Sequence, residues 1–344
     1  GEAIRELELI VADNPRSVPA LAGLAEAYAV VDDPKTGATF EQALSLSPGD
    51  QRLRATYIDY LWHTRQMDKS DREIERLLAA ASDKSGLHRF FGLKLYAQGR
   101  FPQAAEQLAL AKAGGLDDKE LRYALGGAEY ETGQFERAEA DLRRAVELAP
   151  DSAQARHLLG RVLLLEGRPA EALPQLSEAA RLEPRSPDIV LDLGNAYRGT
   201  NKPAEAEAAF RKAVGAGPEL ARTHAALAAL LSSQGRRSEA QREADLSAQA
   251  FSKEQAAVRE AQNRIEQLVL GRQALAAGNP EKALEIFQKF EEDAEALRGA
   301  AQALSSLNRH EQAVQALERA LKLAPNDPRI RYALDRETAA PKDP

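Results

Sequence analysis

The sequence predicts an all-α protein, a solenoid of antiparallel helix pairs, on three observations. The first is composition. Of 344 residues, 44% are hydrophobic and only 5% aromatic, Ala and Leu are prominent, and no strand-like run of Val, Ile, Thr and Tyr appears; such a mix favours helix. The second is a period. Pro150, Pro184 and Pro218 are 34 residues apart, and so are Gly126, Gly160 and Gly194, the series Ala138, Ala172, Ala206 and Ala240, and the series Ala145, Ala179 and Ala213. Extended backwards, the same step lands on Gly92, Gly99, Ala104, Leu108 and Ala111. The third is punctuation, since Gly and Pro recur singly in equivalent places, as in "QGRFPQA", "EGRPAEA", "TNKPAEA" and "AGNPEKA". A period of this length marks one supersecondary unit stacked on the next, here about nine helix pairs.

Taken in order, residues 1–16 read as a lone second helix over 3–13 that ends at Pro15, so the chain opens in mid-repeat and a preceding segment is expected. Seven repeats follow over 17–252. Segment 17–50 keeps Phe40, Ala43 and Pro48 but is one residue short, and 51–84 is degenerate, with Tyr57, Ile58 and Ser70 in columns that elsewhere hold aliphatic or small residues. A weak interface is expected there. The centre, 85–252, holds the pattern best, and segment 153–186 shows why each column exists. Antiparallel helices approach closely only where facing residues are small, which selects Gly160 and Ala172, while Leu176 fills the neighbouring gap. Gly167 suits the left-handed stop of the first helix, Pro169 the first turn of the second, and Pro184 discourages helix in the residue before it.

After Ala250 no breaker occurs before Gly271, which predicts a lengthened first helix with an extension over 253–263, capped at Ser252 with Gln255 three residues on. Two further repeats occupy 264–326 through Gly271, Gly278, Ala283 and Phe287, then Asn308, Ala313, Leu317, Ala320 and Pro325, with a shortened connection between them. Residues 327–338 should form a capping helix with a more polar outer face. The tail, 339–344, is expected to be disordered.

These columns resemble the tetratricopeptide repeat family, whose pattern has small residues at repeat positions eight, twenty and twenty-seven, a large one at twenty-four and Pro at thirty-two. Here they are Gly160, Ala172, Ala179, Leu176 and Pro184, and in the next segment Gly194, Ala206, Ala213, Phe210 and Pro218, with Tyr197 beside them. The resemblance implies a right-handed superhelix whose inner face is lined by first helices at positions two, five, nine, twelve and thirteen. Position twelve then reads Trp62, Tyr96, Tyr130, Leu164 and Arg198; position five reads Ala55, Arg89, Tyr123, His157 and Leu191; position nine reads Asp59, Leu93, Gly127, Arg161 and Asn195. The expected binding groove is Trp62, Arg89, Tyr96, Tyr123, Tyr130, His157, Arg161, Asn195, Arg198 and Arg222, because aromatics and Arg dominate binding hot spots. The family pattern also favours aromatics at positions five and twelve as packing filler, so the aromatic column admits both readings. A chaperone-tail clamp of Lys and Asn is not supplied by any three consecutive repeats, and that partner is not expected.

Other chemistry is sparse. The formal net charge is −7, which leaves no electrostatic footprint for nucleic acid, and no apolar run approaches the ~18 residues of a spanning helix. Cysteine is absent. Phosphate-cradling, dinucleotide, zinc-protease and serine-hydrolase motifs do not occur. His63, His88, His157, His224 and His310 are scattered singly, and acid pairs such as Asp117-Asp118 sit at turns. No cofactor is expected. The reading is a non-catalytic scaffold holding a protein or peptide segment. Its rival is the regulatory or substrate-recruiting region of a longer enzyme, and self-association through unsealed terminal repeats is a third reading. The Ala-, Leu- and Arg-rich composition points to a bacterium, and similar bacterial arrays serve envelope and secretion assemblies; the compartment, cytoplasmic or exported, stays open.

Overall fold

The computed structural model describes residues 2–82 and 84–339, and among them every regular element is an α-helix. In chain order these are α1 (Glu2–Asp13), α2 (Val18–Val30), α3 (Thr36–Leu46), α4 (Gln51–His63), α5 (Met67–Ala80), α6 (Lys84–Ala97), α7 (Phe101–Ala113), α8 (Lys119–Glu131), α9 (Phe135–Leu148), α10 (Ala153–Leu165), α11 (Pro169–Leu182), α12 (Pro187–Gly199), α13 (Pro203–Ala216), α14 (Ala221–Ser233), α15 (Arg237–Ala276), α16 (Pro280–Phe287), α17 (Ala294–Ser306), α18 (His310–Leu323) and α19 (Pro328–Ala339). They form two compact units. One is Ser82–Ala257; the other combines Gly1–Ala81 with Val258–Pro344.

In the unit Ser82–Ala257 the helix starts repeat at the interval of the sequence columns: Lys119, Ala153, Pro187 and Ala221 open first helices, and Phe101, Phe135, Pro169, Pro203 and Arg237 open second ones. The first helices begin where Asp118, Ser152 and Ser186 accept amide hydrogens from residues two or three places on. They end at a left-handed residue, Gly167 at φ 73° in one repeat and Asn201 at φ 56° in the next; Asn is the residue after Gly that tolerates this region best. The crossing itself is tight. A Cβ built on Gly160 would lie 2.5 Å from Leu176 Cγ, so the two helices meet side chain against bare backbone.

A second device recurs that column matching did not anticipate. Residue pairs nineteen apart join the first helix of a repeat to its second: His88 Nδ1 lies 2.7 Å from Gln107 Oε1, Arg156 donates to Gln175 at 2.8 Å, and His224 Nδ1 lies 2.6 Å from Glu243 Oε2. Arg122 and Asp141 pair likewise, as do Arg54 and Glu73 in the other unit. Several of the same residues also reach the carbonyl of the proline that ends the preceding repeat, Arg156 to Pro150 at 2.8 Å and His224 to Pro218 at 3.0 Å. One polar side chain thus ties three segments. In the repeat opened by Pro187 both partners are apolar instead, Val190 and Ala209.

Asp141 is 1% exposed and also receives Lys112 Nζ at 2.8 and 2.9 Å. Next to it Glu129, 6% exposed, has a carboxyl oxygen with no hydrogen-bond partner among the described residues. Burial, and then the negative charge of Asp141, pushes the Glu129 carboxyl up to about 7.

In the other unit, the unusual column residues of segment 51–84 are buried, and the division between the units falls at the end of this segment, between Ala81 and Ser82. Tyr57 and Ile58 are buried, Phe40, Tyr57 and Tyr60 form an aromatic cluster with centroids 5.3 to 6.3 Å apart, and the Ser70 hydroxyl donates to Met67 O at 2.8 Å. In the C-terminal part the Phe287 ring lies against two bare backbones, Gly271 and Gly299. Helix α19 packs on α18, and its Tyr332 also joins the cluster of Ile4, Leu24 and Tyr28 from α1 and α2. The capping helix therefore touches the first repeat as well as the last. Of the tail 339–344, Ala339 ends α19 and the rest lies outside the described residues.

One expectation is corrected. No helix starts at Ser252, because Ser252 lies inside α15, a single helix of 40 residues that also contains 253–263. The reason is legible: Ser252 occupies the column of Pro150, Pro184 and Pro218, and neither Gly nor Pro occurs from 236 to 270. Without the ring that excludes helical geometry nothing stops the chain. The division between the units at 257 and 258 falls inside this helix.

Two outcomes test this account. Replacing fully buried Ala172 with Leu should destabilise the protein by ~1–3 kcal/mol through overpacking, whereas Glu178→Gln, which weakens only a solvent-facing pair with Arg181, should change stability by less than ~1 kcal/mol; equal denaturation midpoints would mean that the register is wrong. For Glu129, the fold holds a proton that the unfolded chain releases above the ordinary value of 4.5. The native state therefore binds more protons between pH 4.5 and about 7, and stability falls as pH rises through that window. Glu129→Gln should flatten the slope and stabilise the protein above it by on the order of 2 kcal/mol in denaturant titrations.

Candidate binding groove

The first helices α8, α10 and α12 carry most of the expected groove residues, and their ends converge on a cleft of about 580 Å³. Tyr130 stands at the end of α8, and the Arg161 guanidinium carbon of α10 sits 4.9 Å from its ring centroid, a cation–π contact. One turn along α10, Leu164 and Leu165 form the apolar side, and Leu165 is 59% exposed. From α12 come Asp192, Asn195 and Arg198, spaced three apart on one helical face.

The polar groups form a chain. Asp192 lies 2.8 Å from His157 Nε2, accepts from Asn195 Nδ2 at 3.4 Å, and stands 3.7 Å from Arg161 Nε. Arg198 donates to Asn195 Oδ1 at 3.1 Å and lies 6.0 Å from the Phe210 ring centroid. Arg161 thus stands beside the half-buried Asp192 carboxylate, and Arg198 is linked to it through Asn195. Arg161 keeps 43% of its side chain exposed, with a loose ion pair, and Arg198 is exposed and makes no ion pair among the described residues. The cleft therefore has unspent hydrogen-bond donors beside apolar surface.

The remaining expected residues are placed differently. Arg89 is engaged by Asp118 at 2.7 and 2.9 Å and by Glu120 at 2.6 Å; those hydrogen bonds hold its guanidinium well above the ordinary arginine value. Arg222 is paired with Asp188. Both arginines already have the carboxylates that a ligand would bring. Tyr96 packs edge-on to Tyr123 and lies over Gly127, where a Cβ would meet its hydroxyl at 2.4 Å. Burial pushes its phenol up, with Tyr123 adding to the shift. Tyr123 itself borders a separate, smaller cleft between α8 and α10. Trp62 belongs to the other unit and is 5% exposed.

The cleft thus brings together Tyr130, Arg161, Asn195 and Arg198, with His157 behind Asp192. The expected groove residues do not include Asp192 or Leu165, although Leu165 stands at position thirteen, one of the inner-face columns. Asp192 stands at position six of its repeat, outside the columns that line the inner face. Among the described residues no group of three or more His, Cys, Asp or Glu could hold a metal ion, and no helix is long and apolar enough to cross a membrane.

Two family models, both described as tetratricopeptide repeat, match the chain: one over residues 163–230 and 274–336, the other over 91–153 and 124–187. No curated protein matches. Among solved structures, "MamA MSR-1 C2" is 24% identical over 50% of this chain and 98% of its own, with a TM-score of 0.45. "Crystal structure of MamA" is 22% identical over 48% and 96%, with a TM-score of 0.44. "Crystal structure of YrrB: a TPR protein with an unusual peptide-binding site" is 22% identical over 54% and 95%, with a TM-score of 0.47.

Proposed function

Because this chain belongs to the tetratricopeptide repeat family, we propose that it is a non-catalytic scaffold that holds an extended protein segment in the cleft formed by α8, α10 and α12. The observation that carries this reading is the pair Arg161 and Arg198. Arg89 and Arg222 on the neighbouring first helices are closed off by carboxylates, whereas Arg161 keeps only a loose pair with Asp192 and Arg198 donates to Asn195, with Leu164 and Leu165 alongside. A segment laid across them would bury aliphatic surface on the leucines and place a carboxylate against the guanidiniums through forked hydrogen bonds. The ligand is then mixed in character, apolar with an acidic residue at the arginines. Tyr130 serves by fixing Arg161 from below. An envelope or secretion assembly is the setting that the family resemblance suggests, and it adds nothing to the chemistry of the cleft.

The test begins with affinity capture of partners by this chain, followed by titration of the captured segment against wild type, the Arg161→Ala/Arg198→Ala double variant and Tyr130→Ala, with circular dichroism as the folding control. The double variant should weaken binding by roughly 10- to 100-fold. It should also flatten the salt dependence, because exposed charges are screened within about 8 Å at physiological ionic strength. If all three proteins bind alike while Arg143→Glu on a second helix abolishes binding, the partner uses another surface.

A further inference from the structure

Independently of the α8–α12 cleft, the unit that combines both ends of the chain contains a second site with an incomplete set of contacts. Arg298 of α17 is mostly buried, with 21% of its side chain exposed, and its Nε is fully enclosed without a hydrogen-bond partner among the described residues. Its ion pair is with Asp32 Oδ2, at 3.5 Å. The same oxygen accepts from Arg329 NH1 at 3.3 Å, while Arg329 commits its Nε and NH2 to Asp327, the nearest contact at 2.7 Å. Asp32 is held in the turn after α2 in the left-handed region, at φ 55°. Its neighbour Asp33, buried and accepting from Lys35 N at 2.9 Å within the turn, receives the Tyr332 hydroxyl at 3.4 Å.

Two consecutive carboxylates from the first repeat thus occupy a basic corner of the last one, and all three contacts are long. Charge-assisted hydrogen bonds between guanidinium and carboxylate normally close to ~2.7–2.9 Å. A buried guanidinium is costly unless it is fully paired. Beside this corner is a cavity of about 370 Å³ lined by Arg298, Arg329 and Arg336 and by the carboxylates Asp32, Asp33 and Glu337, the last already held by His310. Space, an under-paired cation and further polar donors coincide. We infer that the Arg298–Arg329 corner is a binding site for an acidic peptide segment and that the Asp32-Asp33 turn is its weak internal occupant, which such a segment displaces. A carboxylate on a free segment can approach Arg298 squarely, which Asp32, fixed by its turn, does not do.

The probe is a blocked tetrapeptide of aspartate, titrated calorimetrically into the whole chain, with the asparagine tetrapeptide and inorganic phosphate as comparisons. Wild type should bind tetra-aspartate and ignore tetra-asparagine. Arg298→Gln should weaken binding by about tenfold or more. Asp32→Asn removes the competing charge at a turn position that Asn tolerates, and should tighten binding by about threefold or more. The inference is overturned if tetra-aspartate fails to bind wild type and Asp32→Asn, if tetra-asparagine or phosphate binds as well as tetra-aspartate, or if Arg298→Gln folds and binds unchanged. Should Arg298→Gln fail to fold, the Asp32→Asn titration decides alone, and an affinity equal to that of wild type overturns the proposal.

Discussion

Leu176 lies against Gly160, and Phe210 against Gly194, at distances that leave no room for a methyl group, and the register of the unit Ser82–Ala257 depends on that contact. A side chain set on bare backbone can be satisfied at one relative height of the two helices, because a slide by one residue would bring a Cβ into the gap. The height then dictates how many residues the connecting turn can use and where the left-handed residue must fall, at Gly167 or Asn201. Once both are fixed, the start of the next helix is fixed too. The uniform spacing of helix starts is the outcome of this contact repeated, and it needs no long-range information.

The cleft is a by-product of that register. Tyr130, Leu164 and Arg198 are one period apart, so stacked first helices bring them into a row without any dedicated loop or insertion. Chemical character along the row is free to vary because the packing columns lie on another face of the same helices. Arg161 can therefore lean on the Tyr130 ring of the repeat before it and toward Asp192 of the repeat after it while Gly160, one residue earlier, does the packing. Rigid helices give such a row its precision.

Much of the fold was legible in the sequence for this local reason, and the failures are equally physical. Helix boundaries over 85–252 follow from columns within one period. The continuity of α15 was also written in the sequence, as Ser252 in a proline column, but a serine can cap a helix or sit within one, and only the absence of any other breaker separates the cases. In the site, periodicity identified the face and not the partners. The acids that close off Arg89 and Arg222 lie 29, 31 and 34 residues away, in neighbouring repeats, where a column count assigns them to turns and caps. The contact of Tyr332 with Asp33 spans 299 residues, and no repeat pattern carries a signal at that range.

The polar ties nineteen residues apart bear on how such a chain could have grown. Each pair, such as Arg156 with Gln175, lies wholly inside one repeat, whereas the proline carbonyl that the same arginine reaches belongs to the repeat before it. Duplication of a whole repeat therefore copies the pair intact and needs only a proline upstream to complete the third contact. An apolar pair such as Val190 and Ala209 fills the same two positions, whereas one apolar and one ionic member would leave an isolated buried charge. The 34-residue stretch is thus a self-sufficient cassette whose seams fall at the prolines, and new binding rows can be assembled by shuffling cassettes with no repair of their interiors.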